Sequence, residues 1–491
     1  MTWFENYSES YADTLTALKK IDGVAVGFNT NVDAIIEFRS NKIRELISHL
    51  QFDTVTLMSK ILKWKGVIEE PEDFIVGLCG CFEKGKASEW IIQNEETYQF
   101  LLRNLPTDRV ISMGGQAGNM ANTLSELGIP RVIVHSATLP DELKNLFLKN
   151  KNIQIPVYNK KGKLEFPHPR KAKNFDDRLF LHLISEVSKN DQLNIDNNIR
   201  WKCPRDNRFI ATYDPPNAQM KIIEGFSRGI EEIAEKVNVL VLSGFHMLSD
   251  EGEGIKKIEE KIMSVIELIQ RAKIANLDLL VHLELCSTKQ KEIMNLLMKL
   301  SKQNQCWDSI GGNEREIIEV LEAINENKLA RAIKNGFSQG DILAGCVKIL
   351  DKLSLKQVLL HQYGCYLLAA SWDYQVPNEI LRKSLCFASL ITSHKALAVK
   401  SIGEIEFSSI INLSNIYYDS TKTFSELRKF IEENYQNSEQ FSVTGILETE
   451  EARIIAIPTL IVDDPIYTVG LGDGISSATL AAEVALQKIQ S

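Results

Sequence analysis

From Val237 onward the chain alternates short apolar runs with longer amphipathic stretches, and few architectures accommodate that rhythm. The runs VNVLVLSGFHM, LDLLVHLEL and CWDSI have strand-like lengths and compositions. Between them, Gly254 to Ala275 and Lys289 to Lys302 place apolar residues at helical spacing. A strand that is apolar on both faces must be covered twice, and helical crossovers supply that cover while making neighbouring strands parallel. The pattern therefore predicts an α/β fold with a doubly wound central sheet. Sheets of this kind bind ligands beyond the carboxyl ends of their strands.

Polar residues at those strand ends are thus the first candidates. In VHLELCS the period of two sets Val281, Leu283 and Leu285 on one face and His282 with Glu284 on the other. A buried His–Glu pair and a functional carboxylate fit that placement equally. After CWDSI, GGNEREIIEVL puts Asn313 and Glu316 three apart near a helix N-terminus, where they share a face. An amide and a carboxylate there could hold the hydration shell of magnesium, which gives up its water reluctantly; a diglycine turn before a surface helix is the plainer alternative. QVLLHQYGCYLL presents His361 and Tyr363 on a strand or helix start, and Leu381 to Val399 reads as a helix of small residues. Spacing assigns neither a role.

Asp463 to Ser477, DDPIYTVGLGDGISS, joins a buried strand (Ile454 to Val462) through a glycine turn to a helix carrying Ile475, Ala478, Ala482, Ala485 and Ile489. Gly470 and Gly472 allow positive φ and close approach of a ligand to bare backbone. The N–H groups of Gly472, Asp473 and Gly474 would lack intrahelical partners, so the helix start would attract an anion. Asp473 points into the same space, where a carboxylate can take the proton of an attacking hydroxyl. Phosphoryl transfer to an alcohol needs both parts. The same residues also fit a left-handed turn with Asp473 as a simple helix N-cap.

The N-terminal half adds polar groups at comparable positions. Gly23 to Phe28 reads as a first buried strand, delivering Asn29, Asn31 and Asp33 at alternate positions, on one face. That face could hydrogen-bond a polyol, or the side chains could simply hold a turn. GGQAGNMANTLSELG leads into a helix with Met120, Ala121, Leu124 and Leu127 inward and Gly128 at its end, leaving Gly115, Gln116 and Asn119 at its polar start. Arg131 to Ser136 is then a strand. Gly80, Gly85 and Lys86 satisfy most of a Walker A loop, but Ala87 stands where a hydroxyl should bind Mg²⁺ and Ser88 comes one residue late. Gly85 to Glu89 instead reads as a turn entering a helix, with Glu89 facing a site or water. Between about Asn150 and Asn217 the composition shifts to Lys, Asn, Pro and Arg around short apolar runs, as expected of a separate strand-rich layer.

The 491 residues accommodate two or three domains, and the net charge of -9 presents neither a basic nucleic-acid surface nor a disordered acidic tail. No apolar run reaches the roughly 18 residues of a membrane span. Eight cysteines without a CxxC pair, and a Met1 region without a signal-peptide core, lead us to expect a cytoplasmic protein.

Together, VGLGD, HLELCS, NEREII, FNTNVDAI and GGQAGN, in that combination across Val24 to Ser477, resemble the ADP-dependent sugar kinases, which comprise archaeal and animal glucokinases and archaeal phosphofructokinases. The resemblance implies a ribokinase-like large domain (1–36, 110–153 and 215–491) and a smaller strand-rich lid (37–109 and 154–214) that closes over the sugar. It implies Asp473 as the base and the turn of Gly470 and Gly472 as the anion hole, with Arg208 meeting phosphates. Glu284, Asn313, Glu316 and Asp473 would place Mg²⁺, and Asn31, Asp33, Glu89, Gly115, Gln116 and His182 would contact the sugar. ADP as phosphoryl donor follows from the resemblance alone. Glu89 matches a glutamate of the glucose-using members. Arg170, Lys171, Lys173, Arg178, Lys202 and Arg205 offer cations for a sugar phosphate. The expected partners are sugar and nucleotide, without nucleic acid or membrane, for a monomer or small homo-oligomer that uses fructose 6-phosphate ahead of glucose. The rival readings are a glucokinase alone, an ATP-dependent kinase of the ribokinase group, a silent sugar-binding regulator and, more remotely, a P-loop NTPase.

Overall fold

The computed structural model describes residues 3–37, 40–63, 66–173, 175–196, 199–249, 254–288, 290–397, 422–436, 438–462 and 470–490. Asp463 to Val469 of the expected turn, Lys289, and the end of the expected small-residue helix at 398–399 lie outside them.

Ten strands form the main sheet, in the order Ile446–Glu448, Arg453–Pro458, Cys365–Ala370, Gln357–Gln362, Ser309–Gly312, Leu280–Glu284, Val239–Leu242, Val24–Gly27, Val132–Val134 and Ile153–Gln154. From Gln357–Gln362 to Ile153–Gln154 every pairing is parallel; the three strands beyond are antiparallel. Val24–Gly27 has Val132–Val134 on one side and Val239–Leu242 on the other, so the winding reverses there and a crevice opens at the strand ends. The central strands are wholly buried, as the apolar runs required. Helices Ile255–Ala275 and Lys291–Asn304 follow their strands as the alternation predicted. The final helix, Leu471–Gln490, packs against Asn378–Leu397 and Gln116–Glu126.

A second sheet of six strands runs Val67–Ile68, Ser88–Ile92, Asn207–Thr212, Leu181–Val187, Asn31–Ile35 and Val110–Gly114. Its membership differs from the expected division of the chain. Asn31–Ile35 and Val110–Gly114 pair with each other here, although 1–36 and 110–153 were assigned to the large domain. Ile153–Gln154 belongs to the main sheet, while Val157–Tyr158 pairs with Leu164–Glu165 and Gln192–Asn194 with Arg200–Lys202 in two small antiparallel ribbons. Aromatic rings sit within the largely aliphatic core of this layer. Phe209 meets Phe74 and Trp90 edge-on, with ring centroids 5.5 and 5.7 Å away, and Gly77 lets the helix come close enough, since a Cβ there would lie 2.4 Å from the Phe209 ring.

Two local readings are corrected. Gly85 ends a helix rather than starting one: Pro71–Lys84 is helical, Gly85 caps it at φ 56°, and Ser88–Ile92 follows as a strand. Glu89 therefore stands on a strand. Gly80 lies inside the helix, so its backbone cannot cradle a phosphate, and the Walker-like spacing has no phosphate loop behind it. All eight cysteines are free, and no described helix is long and apolar enough to cross a membrane.

Candidate active site

A cleft of about 280 Å³ opens between the two sheets. Thirteen of the candidate residues line it: Asn31, Asp33, Glu89, Gly115, Gln116, His182, Arg208, Glu284, Asn313, Glu316, Gly470, Gly472 and Asp473.

The small sheet contributes one wall. Asn31 and Asp33 alternate on their strand, and register sets His182 beside Asp33 and Ile210 beside Glu89. Asn31 Nδ2 is 2.8 Å from His182 Nδ1, and His182 Nε2 is 3.2 Å from Asp214 Oδ2. Burial alone would lower the His182 pKa, but the Asp214 hydrogen bond and the charges of Asp214, Asp33 and Glu89 raise it. Asp33 is pushed up to about 6, first by burial; His182 and Arg208 oppose the shift and Glu89 adds to it. Asn31 Oδ1 is buried without a hydrogen-bond partner among the described residues, an orphan that a ligand hydroxyl would satisfy. Glu89 Oε1 accepts from the Thr212 hydroxyl at 2.7 Å. Gly114, opposite Asn31, leaves these side chains room: a Cβ would lie 2.0 Å from Asn31 Oδ1 and 2.1 Å from Asp33 Oδ1.

The main sheet contributes the other wall from its carboxyl ends. Glu284 ends its strand with each carboxylate oxygen held, His282 Nε2 at 3.1 Å from Oε2 and His361 Nε2 at 3.1 Å from Oε1. Burial opposes ionisation, yet the two histidines win and hold its pKa at about 2. Asn313 caps the helix Glu314–Ala323, and Glu316 reaches back to the Asn313 N–H at 2.6 Å. Glu316 also accepts from the Ser287 N–H at 3.0 Å, but burial raises its pKa to about 7.

Gly115 sits at φ 75° before the helix Gln116–Glu126. The Gln116 amide is partly engaged by the frame, Nε2 donating to the Leu285 carbonyl at 3.2 Å and Oε1 accepting from the Gly244 N–H at 3.0 Å. Gly470 adopts φ 66° and opens the helix that carries Asp473 in its first turn. Asp473 is partly open to the cleft. Its pKa is raised to about 6, chiefly by burial and then by Glu284, against Lys395, His361 and a Gln116 hydrogen bond.

Sequence reasoning did not single out His246 or Cys286, which also line the cleft. Nor did it find Lys395, behind the turn. His246 follows a left-handed Gly244, and its Nδ1 has no partner among the described residues; a histidine after an apolar strand gave only a weak signal.

The six cations expected to meet a sugar phosphate lie elsewhere. Arg170 donates to the Phe147 carbonyl, Arg178 pairs with Asp176, and Arg205 donates to the Gly85 carbonyl. Lys171 and Lys173 line a different groove, and Lys202 another. Of the lysines and arginines, only Arg208 is among the residues described as lining the cleft.

Comparison with known proteins identifies the family. The family profile described as the ADP-specific phosphofructokinase/glucokinase conserved region matches residues 22–482. An ADP-dependent glucose/glucosamine kinase of Pyrococcus abyssi is 29% identical over 501 residues, 99% of this chain and 100% of the relative. An ADP-specific phosphofructokinase of Methanosarcina acetivorans is 25% identical across 98% of this chain and 97% of its own. A solved ADP-dependent kinase in complex with fructose 6-phosphate and ADPβS superposes with a TM-score of 0.81 at 28% identity, covering 98% of each chain. The chain belongs to the ADP-specific phosphofructokinase/glucokinase family, kinases that transfer phosphate to a sugar hydroxyl.

Proposed function

We propose that the cleft transfers the β-phosphoryl group of ADP to a hydroxyl of a bound hexose, releasing AMP and the phosphorylated sugar, and that it accepts both fructose 6-phosphate and glucose. One observation carries the reading: the acid-bearing helix start of Gly470 to Asp473 and the hydroxyl-binding wall of Asn31, Asp33, Glu89 and His182 face the same cleft. In this reading Asp473 takes the sugar hydroxyl proton as that oxygen attacks phosphorus and the bond to the AMP oxygen breaks. The N–H groups of Gly472 and Asp473 receive the transferred group, whereas that of Gly474, expected to be free, is spent on the Gly470 carbonyl at 3.2 Å, and Arg208 faces phosphate charge. The small sheet and its helices act as the lid, excluding water that would compete with the sugar. Thermal-shift titration tests the donor: ADP should stabilise the protein increasingly with its ratio to the dissociation constant, and stronger stabilisation by ATP would contradict the reading.

The donor set fits a hydrated divalent ion. Among the described residues no group of three or more His, Cys, Asp or Glu side chains could hold a metal directly. Glu284, Glu316 and Asp473 nevertheless bring three carboxylates to the cleft beside Asn313, and burial has lifted two of them toward protonation. A hydrated Mg²⁺ would favour their charged forms, and when bound it would neutralise phosphate charge. Glu316→Gln should raise the magnesium concentration for half-maximal rate by roughly tenfold, with a smaller change in sugar KM. A change in sugar KM alone would move Glu316 to the acceptor site.

Acceptor choice rests on Glu89 and Arg208. Glu89 can accept from hydroxyls of a neutral sugar, and Glu89→Ala should lower glucose kcat/KM by roughly tenfold, with a smaller loss on fructose 6-phosphate. Preference for fructose 6-phosphate now depends on Arg208, since the other expected cations do not reach the cleft. Equal losses on both sugars in Glu89→Ala would reject the role given to Glu89, and no glucose phosphorylation by the wild type would reject dual use.

A further inference from the structure

Behind the glycine turn lies a half-buried cation that none of the roles above uses. Lys395 extends from the helix Asn378–Leu397, which packs along Leu471–Gln490. Its Nζ donates to the Gly470 carbonyl at 3.2 Å and to Thr123 Oγ1 at 3.3 Å. Taking an ammonium out of water is costly unless its partners compensate. Burial pulls the Lys395 pKa down, while the charges of Asp473 and Glu126 hold it up.

The turn is gripped from two sides. Asn119 crowds the α-carbon of Gly470, so that a Cβ there would lie 2.7 Å from Asn119 Cγ, and Gly470 takes φ 66°. Its carbonyl accepts from the Gly474 N–H at 3.2 Å as well as from Lys395. The orientation of that peptide sets where the next N–H groups point.

We propose that Lys395 is a positioning residue for phosphoryl transfer: its ammonium fixes the Gly470 carbonyl, aims the N–H groups of Gly472 and Asp473 at the transferred phosphoryl group, and places positive charge behind them. The proposal rests on reading this turn as the phosphoryl site. It also makes a distinction that a purely structural role does not. The terminal phosphate that separates ADP from AMP should feel the loss of Lys395; the adenosine monophosphate portion and the sugar should not.

Calorimetric titration of the full chain with ADP and with AMP, both in the presence of magnesium, tests this. Lys395→Met keeps the length of the side chain and removes its charge. It should weaken ADP about tenfold and AMP by less than about twofold. Its kcat should fall about tenfold to a hundredfold at a nearly constant sugar KM. Equal weakening of both nucleotides, or an unchanged ADP affinity and kcat, overturns the proposal. A wild type that does not prefer ADP to AMP would instead overturn the phosphoryl-site reading, and the proposal with it. Should Lys395→Met fail to fold, Thr123→Val removes one of the two oxygen partners and should lower the preference for ADP over AMP in the same direction, by about threefold. An unchanged preference in that variant overturns the proposal.

Discussion

Asp473→Ala is expected to lower kcat by about a hundredfold or more while sugar binding stays measurable. The carboxylate stands in the first turn of the helix Leu471–Gln490, in the cleft that Asn31 and Asp33 also line. Charge on the attacking oxygen develops only as the reaction proceeds, so losing the base removes help from the transition state and little from the bound ground state. Its environment also predicts a pH dependence. Burial and Glu284 raise its pKa to about 6, and only the ionised form accepts a proton, so kcat/KM should fall as the pH drops through about 6. Steady-state kinetics against pH, with sugar binding measured separately, checks both statements. Near-wild-type turnover in the alanine variant would remove Asp473 from the chemistry.

Gly114→Ala should be nearly as damaging without any charge being touched. The new methyl group would lie 2.0 Å from Asn31 Oδ1 and 2.1 Å from Asp33 Oδ1, well inside van der Waals contact. These atoms end short side chains, so the sheet can survive while both oxygens swing away from their positions. Misplacing groups that orient a substrate by about 1 Å can cost about a hundredfold, and kcat/KM for the sugar should fall by about that factor. The melting temperature should change little. Unaltered kinetics would mean that Asn31 and Asp33 do not hold the acceptor.

Much of this architecture was legible because it follows from short-range rules. The alternation after Val237 specified the main sheet, since strands that are apolar on both faces must be covered by their crossovers. The glycine turn and acid at Gly470 to Asp473 are a local pattern, and so is the spacing that puts Asn313 and Glu316 at one helix start, although the capping box they form there went unread. Glu89 was found on the wrong element because a glycine before polar residues reads alike as a turn into a helix or as a helix end. The left-handed Gly85 with its N–H on the Cys81 carbonyl decides for the end.

The cations were less legible. Charge in a sequence says nothing of direction: Arg170 and Arg205 are turned to backbone carbonyls, while Lys395, near the end of a helix where a solvated lysine is ordinary, is half-buried against the glycine turn. Sheet membership of Asn31–Ile35 and Val110–Gly114 also depends on pairing between distant segments, which no local pattern encodes.

The most direct test of the account is phosphorus NMR of the full chain incubated with ADP, magnesium and fructose 6-phosphate. AMP and fructose 1,6-bisphosphate should appear in equal amounts, and Asp473→Ala should form neither at a comparable rate. Consumption of ATP in place of ADP, or no transfer to fructose 6-phosphate or glucose from either nucleotide, would contradict it.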